Sequence, residues 1–524
     1  MKPRFVIGID VGTSSVKAGV YALGEERSAV ASVPARVERA SDGGVTQDLD
    51  QLYRAAADAT RAALAQGRVG QSQVEAVAFS GQMAGVGLVD SRHRPLAAYD
   101  SWLDGRCAAV LETISPELSR LIALRSGCAP TLSIGPKMAW WERTRPEITA
   151  AAAKFTTAAG YVAGRAAGLR GEDAFIDPTY LHFASVADNA AARWDPELAE
   201  ALGVPERLLP RIVNCADVIG RLTGQAGQDF GLAPGTPVAA GCGDTAAAAL
   251  GADINGRLQA FDVAGTAAAL GVRSETFAPA RDGGLLTMRE PLGPGYYSLA
   301  YVGGAGEIVE WLCRTVLGRR DLGDAAYAEL DAAGAAAPPG ADGLVASPHF
   351  SGRVCPPAPA LRGAFLGLRP VHGRAHLVRA VLEAIAYEYR GYAETALGLV
   401  GAGPGDRLSE VVGIGGGACS ATWNQIKADV LGTSYSAVTG VEVGARGAAA
   451  VAAAAIGAHG GAVAAPRRGP RFDPDPALAG IYGAHYRHYR AWIERLAEDH
   501  LRVQPADPAG PAPANSDETR EDDH

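Results

Sequence analysis

A strand that turns on Gly-Thr and comes straight back occurs twice in this chain, and that repeat restricts the fold more than any other feature. The first copy, FVIGIDVGTSSVKAGVYA from Phe5, is a buried-type strand that turns at Gly12 and Thr13 and resumes from Val16. It reads as a β-hairpin. A Rossmann dehydrogenase needs the opposite, a GxGxxG turn that opens a helix, so that class is disfavoured. The second copy, LQAFDVAGTAAALGV from Leu258, has the same strand, Gly-Thr turn and returning strand. Aligning Gly265-Thr266 with Gly12-Thr13 sets Val263 opposite Asp10. The repeat therefore predicts a duplicated domain whose second copy lacks the acidic residue.

Length agrees with duplication: 524 residues exceed one ordinary core and divide naturally into two domains of roughly 250. Around the hairpins, helical patterns (49–65, 137–143, 148–154, 307–315, 376–397, 422–431) alternate with strands such as 74–79 and 410–414, as in a layered α/β fold. VAAGCGDTAAAALGA from Val238 predicts a strand, a glycine turn and a helix start. The expected division is residues 1–249, residues 250–502 closing on a helix from about 477 to 500, and a Pro-rich acidic tail at 503–524 that reads as disordered. The many alanines reflect a GC-rich genome as much as structure and carry little weight in this reading.

Charge narrows the function. A formal net charge of −9 without a long basic block leaves no electrostatic footprint for nucleic acid or an anionic membrane. No apolar run reaches the roughly 20 residues of a transmembrane helix, and the N-terminus enters a strand by Phe5, so a cytoplasmic protein is expected. Seven dispersed cysteines without a CxxC pair read as reduced structural thiols, Cys242 having the most suggestive neighbours.

Three glycine-bearing turns stand out: Gly12-Thr13-Ser14, Gly265-Thr266, and Gly415-Gly416-Gly417 ahead of a helix near Thr422. Glycine lets a backbone approach an anion closely, and a following helix adds partial positive charge. Each alone is an ordinary turn; together, at matching places in two halves, they favour one nucleotide between the halves. Asp10 ends the first strand just before a glycine turn, a position suited to Mg²⁺ or simply to an Asx cap. Asp244 follows Gly241-Cys242-Gly243 and precedes an Ala run, as a helix cap or as a catalytic carboxylate. Lys17 reads equally as a phosphate contact or as a solvated lysine.

Several motifs together resemble the FGGY carbohydrate kinases, nearest to the xylulokinases: IGIDVGTSSVKAG, SGQMAG from Ser80, SWLDGRC from Ser101, GPKMAWWERTRPEI from Gly135 and GCGDTAAAALGA from Gly241. VAGTAAALGV from Val263, GAFLGLRPVHGRAHLVRAVLEAIAYE from Gly363, GIGGGACSATWNQIKADVLG from Gly413 and EVGARGAAAVA from Glu442 continue the match to about Ala450. The resemblance implies an actin-like, hexokinase-like (ribonuclease H-like) duplicated α/β fold with an ATP and sugar cleft between its domains. It also implies Asp244 as catalytic base and Asp10 as the Mg²⁺-associated carboxylate. Thr13, Ser14 and Lys17 fall on the first phosphate motif after Gly12, and Gly265 and Thr266 on the second. Gly416, Gly417, Ala418 and Ser420 fall on the nucleotide segment, and Gln82, Met83, Ala84, Trp102 and Asp104 on the sugar pocket. The implied partners are ATP, Mg²⁺ and a small sugar, and a homodimer fits the family.

Three positions depart from the xylulokinase pattern: Ala84 replaces His, Thr245 replaces Asn, and Trp102-Leu103-Asp104 replaces Trp-Asn-Asp. An unpaired buried hydroxyl costs about 1–3 kcal/mol, so these changes bear on which sugar is accepted, a ketopentose or a polyol. A sugar-sensing pseudokinase and an actin-like ATP-binding protein are the alternatives of a different class.

Overall fold

In the computed structural model, which describes residues 3–265, 268–403, 405–458 and 462–502, each hairpin forms the middle of its own sheet. The first sheet is built from β1 (Phe5–Val11), β2 (Ser15–Ala22), β3 (Ser28–Pro34), β4 (Val74–Gly81), β5 (Val218–Arg221) and β6 (Pro237–Gly243), in the order β5-β6-β4-β1-β2-β3. The second holds β7 (Gln259–Ala264), β8 (Ala268–Ser274), β9 (Leu286–Arg289), β10 (Tyr296–Val302), β11 (Glu410–Ile414), β12 (Tyr435–Val438) and β13 (Arg468–Phe472), in the order β9-β10-β8-β7-β11-β12-β13. Both run antiparallel through the hairpin and then parallel across β1-β4-β6 or β7-β11-β12. Parallel strands need cover on both faces, which is why β1 and β4 read as almost unbroken apolar runs. The second sheet adds one strand, β9, at its edge.

Register confirms the repeat at the residue level. Asp10 pairs with Lys17 on one side and Ser80 on the other; Val263 pairs with Ala269 and Ile414. Each stands one residue before the end of its strand. Helix α1 (Leu49–Gly67), capped by Asp48, buries Leu52, Ala56 and Ala63 against the first sheet.

Two sequence expectations change. Residues 148–154 are not one helix: the helix is Pro146–Ala151, and Lys154–Thr156 is a strand. Nor do the glycines at 241 and 243 form a turn. They lie within β6, where Gly241 takes φ +85° and a Cβ on it would come 1.7 Å from the Phe79 carbonyl oxygen. Only glycine permits that contact, and the β4-β6 register shifts there. Helix α2 (Asp244–Gly251) then begins directly at the strand end. The proposed tail, 503–524, and Thr266 lie outside the described residues.

The halves meet through backbone. Helix α5 (Val443–Ala455), late in the chain, packs on the first sheet beside α2. Cβ atoms on Gly8, Gly251 and Gly447 would come within 1.9, 1.8 and 1.9 Å of the carbonyl oxygens of Ala445, Val443 and Ala247. The alanines discounted on composition therefore form the contact between the halves. One apolar cluster runs through it, from Val6 and Ala78 through Ala246 and Ala449 to Phe261 and Val412. Arg446 locks the crossing by donating to the carbonyls of Gly251 (2.6 Å), Ala464 (2.8 Å) and Val463 (3.1 Å).

Helices α3 (Arg374–Leu399) and α4 (Ala421–Leu431) bury a polar knot against the second sheet. Asp262 of β7 is fully buried and accepts from the hydroxyls of Tyr389 (2.6 Å) and Tyr435 (2.8 Å), while Lys427 ion-pairs with it. The Lys427 ammonium also lies 3.8 Å from the Trp423 ring centre.

Helix propensity favours Gly447→Ala by about 1 kcal/mol. The missing space at the α2–α5 crossing outweighs it, and overpacking of this kind costs about 1–3 kcal/mol or more. Gly447→Ala is expected to lower the thermal midpoint; an unchanged or raised midpoint would show that the crossing yields.

Candidate active site

Strand ends bring the two key aspartates together. Asp10 and Cys242 each pair with Ser80 from opposite sides of β4, and Asp244 lies two residues beyond Cys242. The Asp10 carboxylate accepts from Ser80 Oγ at 2.9 Å through Oδ1. Burial pushes its pKa up, the Lys17 charge pulls it down, and Glu442 adds a smaller push upward. Its Oδ2 faces the first turn of α5, where a Cβ on Gly444 would lie 2.8 Å away. Among the described residues, no protein donor takes Oδ2.

Asp244 is not a helix cap. The cap position is Gly243, and Asp244 opens the first turn of α2; among the described residues its carboxylate is bound only to Thr245, whose N–H (2.6 Å) and hydroxyl (3.1 Å) donate to Oδ1. Burial raises its pKa to about 7, the Asp10 charge adds to that, and the two Thr245 bonds work against it. A carboxylate poised there is half-ionised near neutral pH, the range in which a general base works best. Its support was missed in the sequence. Thr179 Oγ1 accepts from Gly243 N–H (2.8 Å) and donates to buried Asp177 (2.5 Å), while Met83 packs where a Gly243 side chain would be. Asp177-Pro178-Thr179 is a recognisable Asx-Pro turn, but nothing local ties it to Gly243.

The first glycine turn is wired to the segments around Gln82 and Trp102. Thr13 Oγ1 accepts from the Trp102 indole N–H (3.0 Å) and donates to Gln82 Oε1 (3.4 Å). Lys17, read equally as phosphate contact or solvated lysine, forms an ion pair with Glu442 at 2.7 Å. That pair joins β2 of the first sheet to the start of α5, with both partners about one-third to one-half exposed.

Met83 and Gln82 are buried, Trp102 is 42% exposed, and Ala84 adopts φ +61°. Lys137, which belongs to no predicted site, fixes that strained residue by donating to the carbonyls of Ala84 (3.1 Å) and Leu132 (2.8 Å). Asp104 is 1% exposed and both of its oxygens are engaged: Val45 N–H donates at 2.8 Å, Arg106 backbone N–H at 3.0 Å, and Arg106 Nε–H to both oxygens at 3.0 and 3.1 Å. In this arrangement it positions backbone and Arg106.

In the second half, a Cβ on Gly265 would meet nothing within 4 Å among the described residues. The third turn abuts the end of β7, since a Cβ on Gly417 would come 2.4 Å from that of Ala264. Gly416 is unobstructed, and Ala418 is buried with its carbonyl accepting from Asn424 (2.8 Å). Ser420 caps α4, accepting from Trp423 N–H (3.0 Å) and donating to Asp331. Its hydroxyl is thus engaged by the fold. Cys242 is a buried free thiol whose pKa burial pushes well up, which makes it unreactive. No helix among the described residues is long and apolar enough to cross a membrane.

Comparison with known proteins matches this layout. The N-terminal domain model of the FGGY family of carbohydrate kinases covers residues 5–251, and the C-terminal domain model covers 261–456. The chain is 29% identical to a xylulose kinase of Escherichia coli K12 over 441 residues, 84% of this chain and 87% of that one. It is 26% identical to an L-xylulose/3-keto-L-gulonate kinase of the same organism, over 96% and 99% of the two chains. A solved xylulose kinase from Rhodospirillum rubrum superposes with TM-score 0.85 at 28% identity, covering 95% of this chain and all of that one. With both domain models matched in order on two hairpin-centred sheets, the chain belongs to the FGGY family of carbohydrate kinases and is a phosphotransferase acting on a sugar.

Proposed function

We propose that the protein transfers a phosphoryl group from ATP to a primary hydroxyl of a ketopentose, with Asp244 as general base. The observation that carries this is the Asp244 carboxylate, half-buried at a strand end and, among the described residues, bound by nothing except its neighbour Thr245. The sugar hydroxyl donates to Asp244, which takes its proton as the oxygen attacks phosphorus. The Thr245 bonds hold Oδ1 in place and leave Oδ2 for that hydroxyl. Kinship with xylulose and L-xylulose kinases supports a ketopentose.

The Gly12–Ser14 and Gly265 turns, with Lys17, would hold the phosphates, and Gly416, Gly417 and Ala418 would lie along the nucleoside. A divalent cation fits Asp10 in one way only. Among the described residues no group of three acidic or metal-ligating side chains gathers, yet Asp10 keeps one oxygen free in a cradle shaped by Gly444. Mg²⁺ would sit on Asp10 and the phosphates, through water, rather than in an all-protein cage. When bound it supplies charge neutralisation on the transferred group. Closure of the halves would exclude water and protect ATP from hydrolysis.

The segments proposed for the sugar lack the usual imidazole: Ala84 offers a methyl group, and the Thr245 hydroxyl is turned to Asp244. ADP release should be greatest with D-xylulose, L-xylulose or a ribulose in a panel that includes xylitol, erythritol and glycerol. A polyol ranking first would overturn the acceptor assignment. Asp244→Asn should lower sugar-dependent ADP release roughly 10²–10⁴-fold, the usual contribution of a positioned base; unchanged release would remove Asp244 from that role. Because the base must be ionised, kcat/KM for sugar should fall as pH drops below about 7. Thr245→Val removes a bond that lowers this pKa, so its acid limb should move to higher pH.

A further inference from the structure

Gln47 belongs to none of the motifs above, yet its side chain joins the acceptor segments to the first glycine turn. It ends a short strand, Val45–Gln47, opposite Tyr99, and is 1% exposed. Its amide nitrogen donates to the carbonyls of Thr13 (3.0 Å) and Arg36 (3.2 Å), and its oxygen accepts from the Gln82 amide at 2.6 Å. Turning the carboxamide over would place oxygen against two carbonyls, so the network admits one orientation. Gln82 is just as constrained, since its oxygen accepts from Thr13 Oγ1 and Ser101 Oγ, both at 3.4 Å. With the Trp102 indole on Thr13 Oγ1, both the carbonyl and the hydroxyl of Thr13 are held from the acceptor side. The turn's own hairpin supplies neither bond.

We infer that Gln47 is a positioning residue that couples the acceptor pocket to the Gly12–Ser14 turn, so that bound sugar stiffens the backbone that receives the phosphates. This rests on the assignment of Gln82, Met83 and Trp102 to the acceptor given above. Sugar contact with Gln82 and Trp102 removes freedom that Gln47 transmits to Thr13. A nucleotide binding second then orders less of the turn, which is positive coupling between the two substrates. Val45, on the same strand, donates to Asp104, so the strand is anchored to the acceptor segment at both ends.

The test measures affinity for a non-hydrolysable ATP analogue with Mg²⁺, with and without saturating D-xylulose or the acceptor that ranks first in the panel. Sugar should tighten the analogue about fivefold or more in the wild type, the lower end of usual inter-site coupling, and Gln47→Met should bring the ratio to about one. The same variant should raise KM for ATP more than it lowers kcat, a split that simple destabilisation would not give. A folded Gln47→Met with the wild-type ratio would overturn the inference. Hydrogen exchange on the wild type gives a second reading that needs no variant. Sugar alone should slow exchange of the amides of Thr13 and Ser14, and unchanged exchange there would also overturn it. If no acceptor in the panel yields ADP, the proposed function fails and takes this inference with it; if ADP release is normal but coupling is absent, only the role of Gln47 fails.

Discussion

Everything that positions the chemistry depends on how closely α2 and α5 approach. Their backbones touch because glycine stands at residues 251 and 447, and α5 meets β1 the same way at Gly8; at each, any side chain would strike a carbonyl. Both helices begin at the cleft. The first residue of α2 is Asp244, and the first turn of α5 faces Asp10. The β1-β4-β6 pairing sets the spacing of the two carboxylates, and the contact that joins the halves packs the start of α5 beside them. Helix N-termini favour negative charge there, yet burial outweighs that help at Asp244 and raises its pKa to about 7.

The charges of the cleft cross-link the halves as well. Lys17 of the first sheet and Glu442 at the start of α5 meet across the halves, so the cation proposed for the phosphates has a resident partner to exchange. Asp104 and Arg106 form the quieter counterpart on the acceptor side, a buried pair whose oxygens are used by protein donors. An aspartate in a segment expected to line the sugar site is thus taken up by the protein's own donors.

How much of this was legible in the sequence follows from range. The hairpins and the equivalence of Asp10 with Val263 were readable because strand pattern and turn residues are local. Local signals misled where strand and turn chemistry look alike, as at Gly241 and Gly243, which continue a strand because β4 presses against them. Helical propensity in residues 148–154 likewise gave way to pairing of Lys154–Thr156 with Gly87–Val89. Nothing local tied Gln47, Thr179 or Lys137 to the backbone that each one holds. Each acts on backbone more than thirty residues away, and only the folded chain brings them there. The alanine runs were the reverse case, a visible feature dismissed as composition that turns out to be the joint between the halves.

The buried pair of Asp262 and Lys427 constrains how this lineage can change. Removing either partner alone strands a charge beneath the second sheet, a loss of about 3–5 kcal/mol, comparable to much of a domain's stability. Exchanging both for well-packed apolar residues would be close to neutral. An apolar ancestor or descendant is therefore separated from this chain by a valley that single substitutions cross only with difficulty. Asp262 and Lys427 should be inherited or lost together, with Tyr389 and Tyr435 released from their hydroxyl bonds at the same step.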